Sequence, residues 1–88
     1  MAEIYEVVAR VVSQKGTCDA KHKVGDEWVI GTKTPEGMCL AAFYALIPSA
    51  WALMFGGSFP WGADPGTCTI ACPDVDNPVV FELRRLQK

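Results

Sequence analysis

Apolar and polar residues alternate along the first part of the chain, over residues 4–12. Every second position there is apolar and several are β-branched, while Glu6 and Arg10 fall on the opposite face. This period of two predicts a β-strand. Three further short segments rich in β-branched residues are also predicted to be strands: 27–31, 67–72 and 79–86.

A long uncharged segment, residues 38–55, lies between the second and third predicted strands and predicts a helix. Thr34 can accept hydrogen bonds from the free amides of a first helical turn, and Pro35 suits the first helical position, so we expect the helix to begin there. Pro48 removes one backbone donor in mid-run and clashes with the preceding turn. We therefore expect either a kink or two helices that meet at 47–49.

When the residues of the uncharged segment are placed on a helix, they form three stripes along its surface. They are Cys39, Phe43, Leu46, Ala50 and Leu53; the bulky Leu40, Tyr44, Ile47, Trp51 and Phe55; and the small Ala41, Ala45, Pro48 and Ala52. A helix that is apolar on every side must be covered on every side, and one sheet covers only one. The second cover is either the aromatic loop 59–61 or another subunit. We expect a homodimer with part of this helix in its interface.

The elements follow in the order β-β-α-β-β over a single domain, residues 1–88. The simplest architecture is a small α+β domain with a mostly antiparallel four-stranded sheet covered by a kinked apolar helix. Arg84 and Arg85 are expected to protect a sheet edge from pairing. The uncharged run has the minimum length of a membrane span. Its proline and the lack of flanking basic residues favour a core helix instead.

Composition and charge exclude several classes of protein. A net charge of −2 and a pI near 5.2 argue against a nucleic-acid-binding surface over the whole chain. Residues 1–12 lack the basic start and uncharged stretch of a secretory signal, so we expect a cytoplasmic protein with reduced thiols. A chain this short has a thin stability margin, which a metal, a disulfide or a partner subunit often supplements.

Strand geometry separates two of the four cysteines, Cys68 and Cys72. On a strand they lie on one face with backbones about 13 Å apart. Two ligands of one zinc ion lie only about 4 Å from each other, given Zn–S bonds of about 2.3 Å. At most one of them can therefore belong to a metal site. Cys72 is the better candidate because it ends the strand, and Cys68 is expected to be a small buried apolar residue.

The remaining candidates form a possible metal-binding set: Cys18, His22, Cys39 and Cys72. Three thiols and one imidazole suit a tetrahedral zinc ion or an iron–sulfur cluster. The absence of a CxxC pair leaves a second interpretation open, in which Cys39 and Cys72 fill the core and His22 is solvated. In a third, Cys18 is a reactive thiol, His22 its base and Asp26 the orienting group.

Two further features suggest a small-molecule ligand. The chain has many aromatic residues for its length, among them Trp28, Trp51, Phe59 and Trp61, and they either line a pocket or pack in the core. The predicted ligand pocket is lined by Trp51, Phe59 and Trp61. Lysines near one end of the domain either attract a small anionic ligand or belong to a solvated loop. These lysines are Lys15, Lys21, Lys23 and Lys33. No motif identifies a reaction, so the sequence does not decide whether the protein is an enzyme.

Several segments together resemble a family of small uncharacterised proteins of similar length from anaerobic bacteria and archaea. They are TC-x3-HK-x-GD at 17–26, MC at 38–39 and CPD-x-x-N-x-VVFELRR at 72–85. The family's shared residues match Cys18, Cys39 and Cys72, and also His22, Lys23, Gly25 and Asp26. The resemblance covers nearly the whole chain and implies no activity. An anaerobic setting keeps thiols reduced and favours the metal and thiol hypotheses.

Overall fold

Four strands and one helix make up the fold in a computed structural model, which describes residues 4–61 and 64–86. The elements are β1 (Val7–Gln14), β2 (Glu27–Ile30), α1 (Leu40–Met54), β3 (Thr67–Ala71) and β4 (Val79–Arg85). The strands form one sheet in the order β2-β1-β4-β3, and every neighbouring pair is antiparallel. The α+β class and the β-β-α-β-β order predicted from the sequence are confirmed.

The core lies between one face of the sheet and α1. On β1 the alternate residues Val7, Ala9 and Val11 are fully buried, and they pair with β4 in a register that sets Ala9 opposite Leu83 and Val11 opposite Phe81. Because side chains alternate across a strand, the charged residues between them face away from α1. The period-two pattern therefore predicted the buried face of both central strands.

The position of β4 in the sheet corrects the interpretation of Arg84 and Arg85. β4 is a central strand, so neither arginine protects an edge. The Arg85 guanidinium instead donates hydrogen bonds to the carbonyl oxygens of Leu53 at 3.0 Å and Gly57 at 2.6 Å. These carbonyls lie at and just beyond the end of α1, where a helix has acceptors without intrahelical partners. Arg85 thus ties the end of the helix to the sheet.

The helix begins later than the sequence predicts, at Leu40 rather than near Thr34. Gly37 has a φ of +85°, a left-handed conformation that a right-handed helix cannot include, so the chain turns before the helix starts. α1 is then continuous through Pro48 as far as Met54, and the alternative of two helices meeting at 47–49 is wrong. The predicted kink at Pro48 stays a prediction.

On the side of α1 that faces away from the sheet, large apolar side chains are exposed. The bulky stripe includes Leu40, Tyr44, Trp51 and Phe55, whose exposed fractions are 82%, 77%, 60% and 57%. The aromatic loop does not cover them: Trp61 is itself 77% exposed. The inner side of the helix is buried through Ala42, Leu46, Ala50, Leu53 and Met54. Within the described residues, no helix is both long and apolar enough to cross a membrane.

Candidate functional site

Two loops and the start of α1 meet at one end of the sheet. Gln14 at the end of β1 pairs with Val79 at the start of β4, and Ala71 at the end of β3 pairs with Val80. The β1–β2 loop and the β3–β4 loop therefore leave the sheet at the same end. The first loop carries Cys18 and the second begins with Cys72.

A cavity of about 160 Å³ lies at this end of the molecule. Its lining comes from both loops and from the start of α1, and comprises Cys18, Asp19, Ala20, Cys39, Ala41, Cys72, Pro73, Asp74 and Asn77. Three of the four cysteines thus share one cavity, each half-buried and none in a disulfide. They are the same three that the sequence selected.

Cys68 lies apart from this cavity, on the buried face of β3 beside α1. It is 4% exposed and belongs to the hydrophobic core. Burial raises the pKa of the Cys68 thiol, and a hydrogen bond with Ser49 offsets this only in part. Cys68 is therefore a buried thiol of the core, as expected for a free cysteine on the inner face of a strand.

His22 is buried, with 6% of its surface exposed, which contradicts the interpretation of a solvated side chain. Its ring packs edge-on against Trp28 at 4.7 Å and lies 6.4 Å from the ring of Phe81. The backbone amide of Cys39 donates a hydrogen bond to His22 Nε2 at 2.9 Å. An amide can only donate, so Nε2 carries a lone pair and the proton of the neutral ring sits on Nδ1.

This bond gives His22 a role that the sequence did not predict. The amide of Cys39 is one of the free donors at the start of α1, and the helix has no side-chain cap of its own. His22 satisfies that donor across 17 positions of sequence and holds Cys39 at the cavity. While the bond lasts, Nε2 is not free to ligate a metal ion.

Asp26 closes a turn in the β1–β2 loop rather than orienting His22. Its Oδ2 accepts the amide of Lys23 at 3.0 Å, and its own amide donates to the Lys23 carbonyl at 3.0 Å. With His22 Nε2 also engaged, the described contacts do not link Cys18, His22 and Asp26 into a nucleophile, base and orienting group.

Asn77 joins the two loops that carry the cysteines, a role that the sequence did not predict. Its Oδ1 accepts the amide of Thr17 at 2.8 Å, across 60 positions of sequence. Asp74 holds Asn77 in place, because Asp74 Oδ1 accepts the amides of Asp76 and Asn77, both at 3.1 Å. The spacing of an Asp and an Asn in a proline-bounded turn is a usable signal for such a loop.

Cys72 is held by a pair of backbone contacts with Val79. The Cys72 amide donates to the Val79 carbonyl at 2.9 Å, and the Val79 amide donates to Cys72 Sγ at 3.3 Å. The backbone of β4 therefore fixes the position of the Cys72 sulfur at the cavity. Cys39 is fixed in a different way, because it immediately precedes the first residue of α1 and its amide is bonded to His22.

The other predicted ligand-binding residues lie away from this cavity. Phe59 and Trp61 have ring centroids 5.2 Å apart, and Trp51 lies on the exposed side of α1. The cavity lining contains no aromatic residue, so a pocket built from these three stays a prediction. The four lysines of the predicted anion site are exposed and do not line the cavity either.

In residues 4–61 and 64–86, no three His, Cys, Asp or Glu side chains are already grouped so that they could hold a metal ion. The three cysteines line one cavity but do not form such a group. Comparison with known proteins finds no family model, no curated protein and no solved structure that matches this chain. The function is therefore argued from the cavity itself.

Proposed function

We propose that the protein binds a soft metal centre, a zinc ion or an iron–sulfur cluster, through Cys18, Cys39 and Cys72. The observation that carries the proposal is that these three cysteines, from two loops and a helix start, line one cavity. The fourth cysteine, Cys68, is in the core.

Thiolate sulfur determines which metals suit this cavity. Soft sulfur ligands select zinc, copper(I) and iron–sulfur clusters over hard cations such as magnesium. The Val79 amide donates to Cys72 Sγ and holds this sulfur at the cavity wall. A reducing compartment such as the cytoplasm would keep these thiols free to bind.

Binding requires the three sulfurs to move inward across the cavity, to the separation of about 4 Å that zinc-bound sulfurs have. Cys18 and Cys72 lie outside the strands, and Cys39 precedes the first residue of α1. Their side chains can therefore approach one another while the sheet register stays unchanged. The metal also supplies the extra stabilisation that a chain of this length needs.

Elemental analysis and a UV–visible spectrum of anaerobically purified protein test the proposal. We expect zinc or iron, with a thiolate-to-metal charge-transfer band if iron is present. Serine variants of Cys18, Cys39 and Cys72 should each lose the metal. Cys68→Ser is the matched control and should keep it. Absence of both metals from the wild type, or equal loss of metal in Cys68→Ser, would contradict the proposal.

A second candidate function is a homodimeric interaction module, and the exposed side of α1 favours it. An aromatic side chain covers about 150–250 Å². At the exposures of Tyr44, Trp51 and Phe55, these three residues present roughly 400 Å² of apolar surface. That is about half of one partner's share of a standard interface. α1 carries no charged residue, so two copies of this face can meet without like-charge repulsion.

Sedimentation velocity over a range of concentrations tests the homodimer. Trp51→Glu places a charge at the centre of the exposed face, and we expect it to convert a dimeric wild type to a monomer. Val29→Glu is the matched control, because Val29 is a half-exposed apolar residue on β2 and away from α1. A monomeric wild type, or equal disruption by both variants, would refute this candidate.

A further inference from the structure

We infer that two copies of the chain pair edge to edge through β3 and continue the sheet across a two-fold axis. The inference is independent of the metal centre. It concerns the edge of the sheet, so the contact can form whether or not the exposed side of α1 is also used. It follows from the backbone groups at the open edge of β3, from the residues of that strand, and from the side of α1 that lies above it.

The open edge of β3 presents backbone groups to solvent. β3 is the last strand of the sheet and pairs only with β4. The Cys72 amide donates to the Val79 carbonyl at 2.9 Å, so the backbone of Cys72 is directed at β4. Because hydrogen-bonded pairs alternate in an antiparallel ladder, the amides and carbonyls of Thr69 and Ala71 point the other way, out of the sheet. In the described part of the chain these groups have no hydrogen-bond partner, and both residues are exposed.

The residues of β3 leave this edge unprotected. Native edge strands are commonly protected by charged side chains, proline or a bulge. β3 contains no charged residue and no proline, and its register with β4 is unbroken. The opposite edge strand, β2, carries Glu27, which forms an ion pair with Arg10 at 3.8 Å. β3 is therefore the edge that suits another strand.

A second copy of β3 supplies a matching strand. With a two-fold axis at Ile70, Thr69 of each copy lies opposite Ala71 of the other, and every free amide meets a free carbonyl. The side chains of Thr69 and Ala71 are small and uncharged, so no like charges meet on that face of the sheet. On the other face the two half-buried Ile70 side chains form a β-branched pair, which stabilises a sheet.

The side of α1 above β3 leaves room for the second copy. Ser49 forms a hydrogen bond with Cys68, so this side of the helix lies over the strand. Ala45 and Ala52 lie about one helical turn before and after Ser49, on the same side. Pairing sets the two β3 strands about 4.8 Å apart and brings the two α1 helices together above the axis. Helices with small residues at their contact approach to about 8 Å, so these alanines permit the pairing.

Amide hydrogen exchange, followed by NMR over a range of protein concentrations, tests the inference. The Thr69 and Ala71 amides should exchange rapidly in dilute protein. Where about nine-tenths of the chains are paired, they should exchange about tenfold more slowly, since exchange then proceeds through the remaining single chains. The Val29 amide is the control. It points out of the β2 edge, because the Val11 amide bonds to the Asp26 carbonyl and the ladder alternates, and it should exchange rapidly throughout.

Three variants separate the edge contact from a general loss of structure. Ala71→Pro removes a free donor but no bond of the β3–β4 ladder, and an edge strand tolerates proline at such a position. It should abolish both the protection of Thr69 and the dimer in sedimentation. Val29→Pro makes the same change on β2 and should leave both unchanged. Thr69→Lys alters only an exposed side chain, sets like charges beside each other across the axis, and should prevent pairing even if Ala71→Pro does not fold.

Each result bears on the edge contact. Protection of Thr69 and Ala71 that rises with concentration and is absent in Thr69→Lys would support it. Rapid exchange of both amides at concentrations where sedimentation shows a dimer would overturn it and assign the dimer to another surface, such as the exposed side of α1. A wild type that is monomeric at every concentration would overturn it as well. The metal proposal is tested separately, through Cys18, Cys39 and Cys72, and stands or falls on its own.

Discussion

Substituting Gly16 by alanine should damage the fold and the cavity together. Gly16 has a φ of +66°, in the left-handed region where a side chain is strained. A Cβ at this position would overlap Oδ1 of Asn77 and lie 3.3 Å from Asn77 Cα. The Asn77 side chain would have to move, and it can do so only by giving up its bond to the Thr17 amide.

The size of the effect follows from these two contacts. Left-handed backbone costs an alanine about 1–2 kcal/mol. The lost hydrogen bond between Thr17 and Asn77 is worth about 0.5–1.5 kcal/mol. We therefore expect Gly16→Ala to lower the free energy of unfolding by about 2–3 kcal/mol. In an Asn77→Ala background the overlap is absent, and the same substitution should cost only the backbone strain.

Urea denaturation of the four proteins in this double-mutant cycle measures the coupling between Gly16 and Asn77. Gly25→Ala is the matched control, since Gly25 has a φ of +98° and a Cβ added there would meet no atom within 4 Å. It should be destabilised by strain alone and keep zinc affinity, whereas Gly16→Ala should bind zinc more weakly. Additive costs for Gly16→Ala and Asn77→Ala, within error, would refute the reasoning.

Three further predictions concern single side chains. His22→Gln can place an amide oxygen near the position of Nε2 and should retain zinc affinity in titration, whereas the shorter His22→Asn should lose it. Arg85→Met removes two hydrogen bonds to carbonyls and should cost about 2–3 kcal/mol in urea denaturation. Arg84→Met removes only exposed ion pairs and should cost less than about 1 kcal/mol. Burial raises the pKa of the Cys68 thiol above its ordinary value of 9.0. The stability linked to the neutral thiol is therefore fully present below pH 9.0 and is lost as the pH rises through the raised pKa of the folded state. Urea denaturation at alkaline pH should therefore show a steeper loss for the wild type than for Cys68→Ala, and parallel curves would contradict the assignment.

The strands were predictable because their signal is local. Alternation on β1 and β4 identified buried residues such as Val11 and Phe81, and the register places these two residues opposite each other on the same face of the sheet. The start of α1 was not predictable in the same way. Thr34 and Pro35 have the right residue types, but the left-handed turn at Gly37 and the bond from Cys39 to His22 decide where the helix begins.

The candidate site, too, could be predicted from the sequence only in part. Strand spacing showed that Cys68 and Cys72 cannot share one site, and the position of Cys72 at the strand end favoured Cys72. The structure places Cys72 at the cavity and Cys68 in the core. The roles of His22 and Asn77 depend on contacts across 17 and 60 positions of sequence. No periodicity or motif reports such distant pairs, so the sequence indicated His22 as a candidate side chain but not its hydrogen bond with the Cys39 amide.

The pairing of β1 with β4 has a consequence for the order of events during synthesis. These two strands lie near opposite ends of the described chain, and their pairing sets Val7 against Arg85. The loop that holds Cys18 meets the loop that begins at Cys72 only when that long-range pairing has formed, a type of contact that forms slowly. A nascent chain that has emerged from the ribosome as far as Cys72 thus carries all three cysteines of the cavity, but the cavity itself has not yet formed. We expect the cavity to form only after the ribosome has released β4.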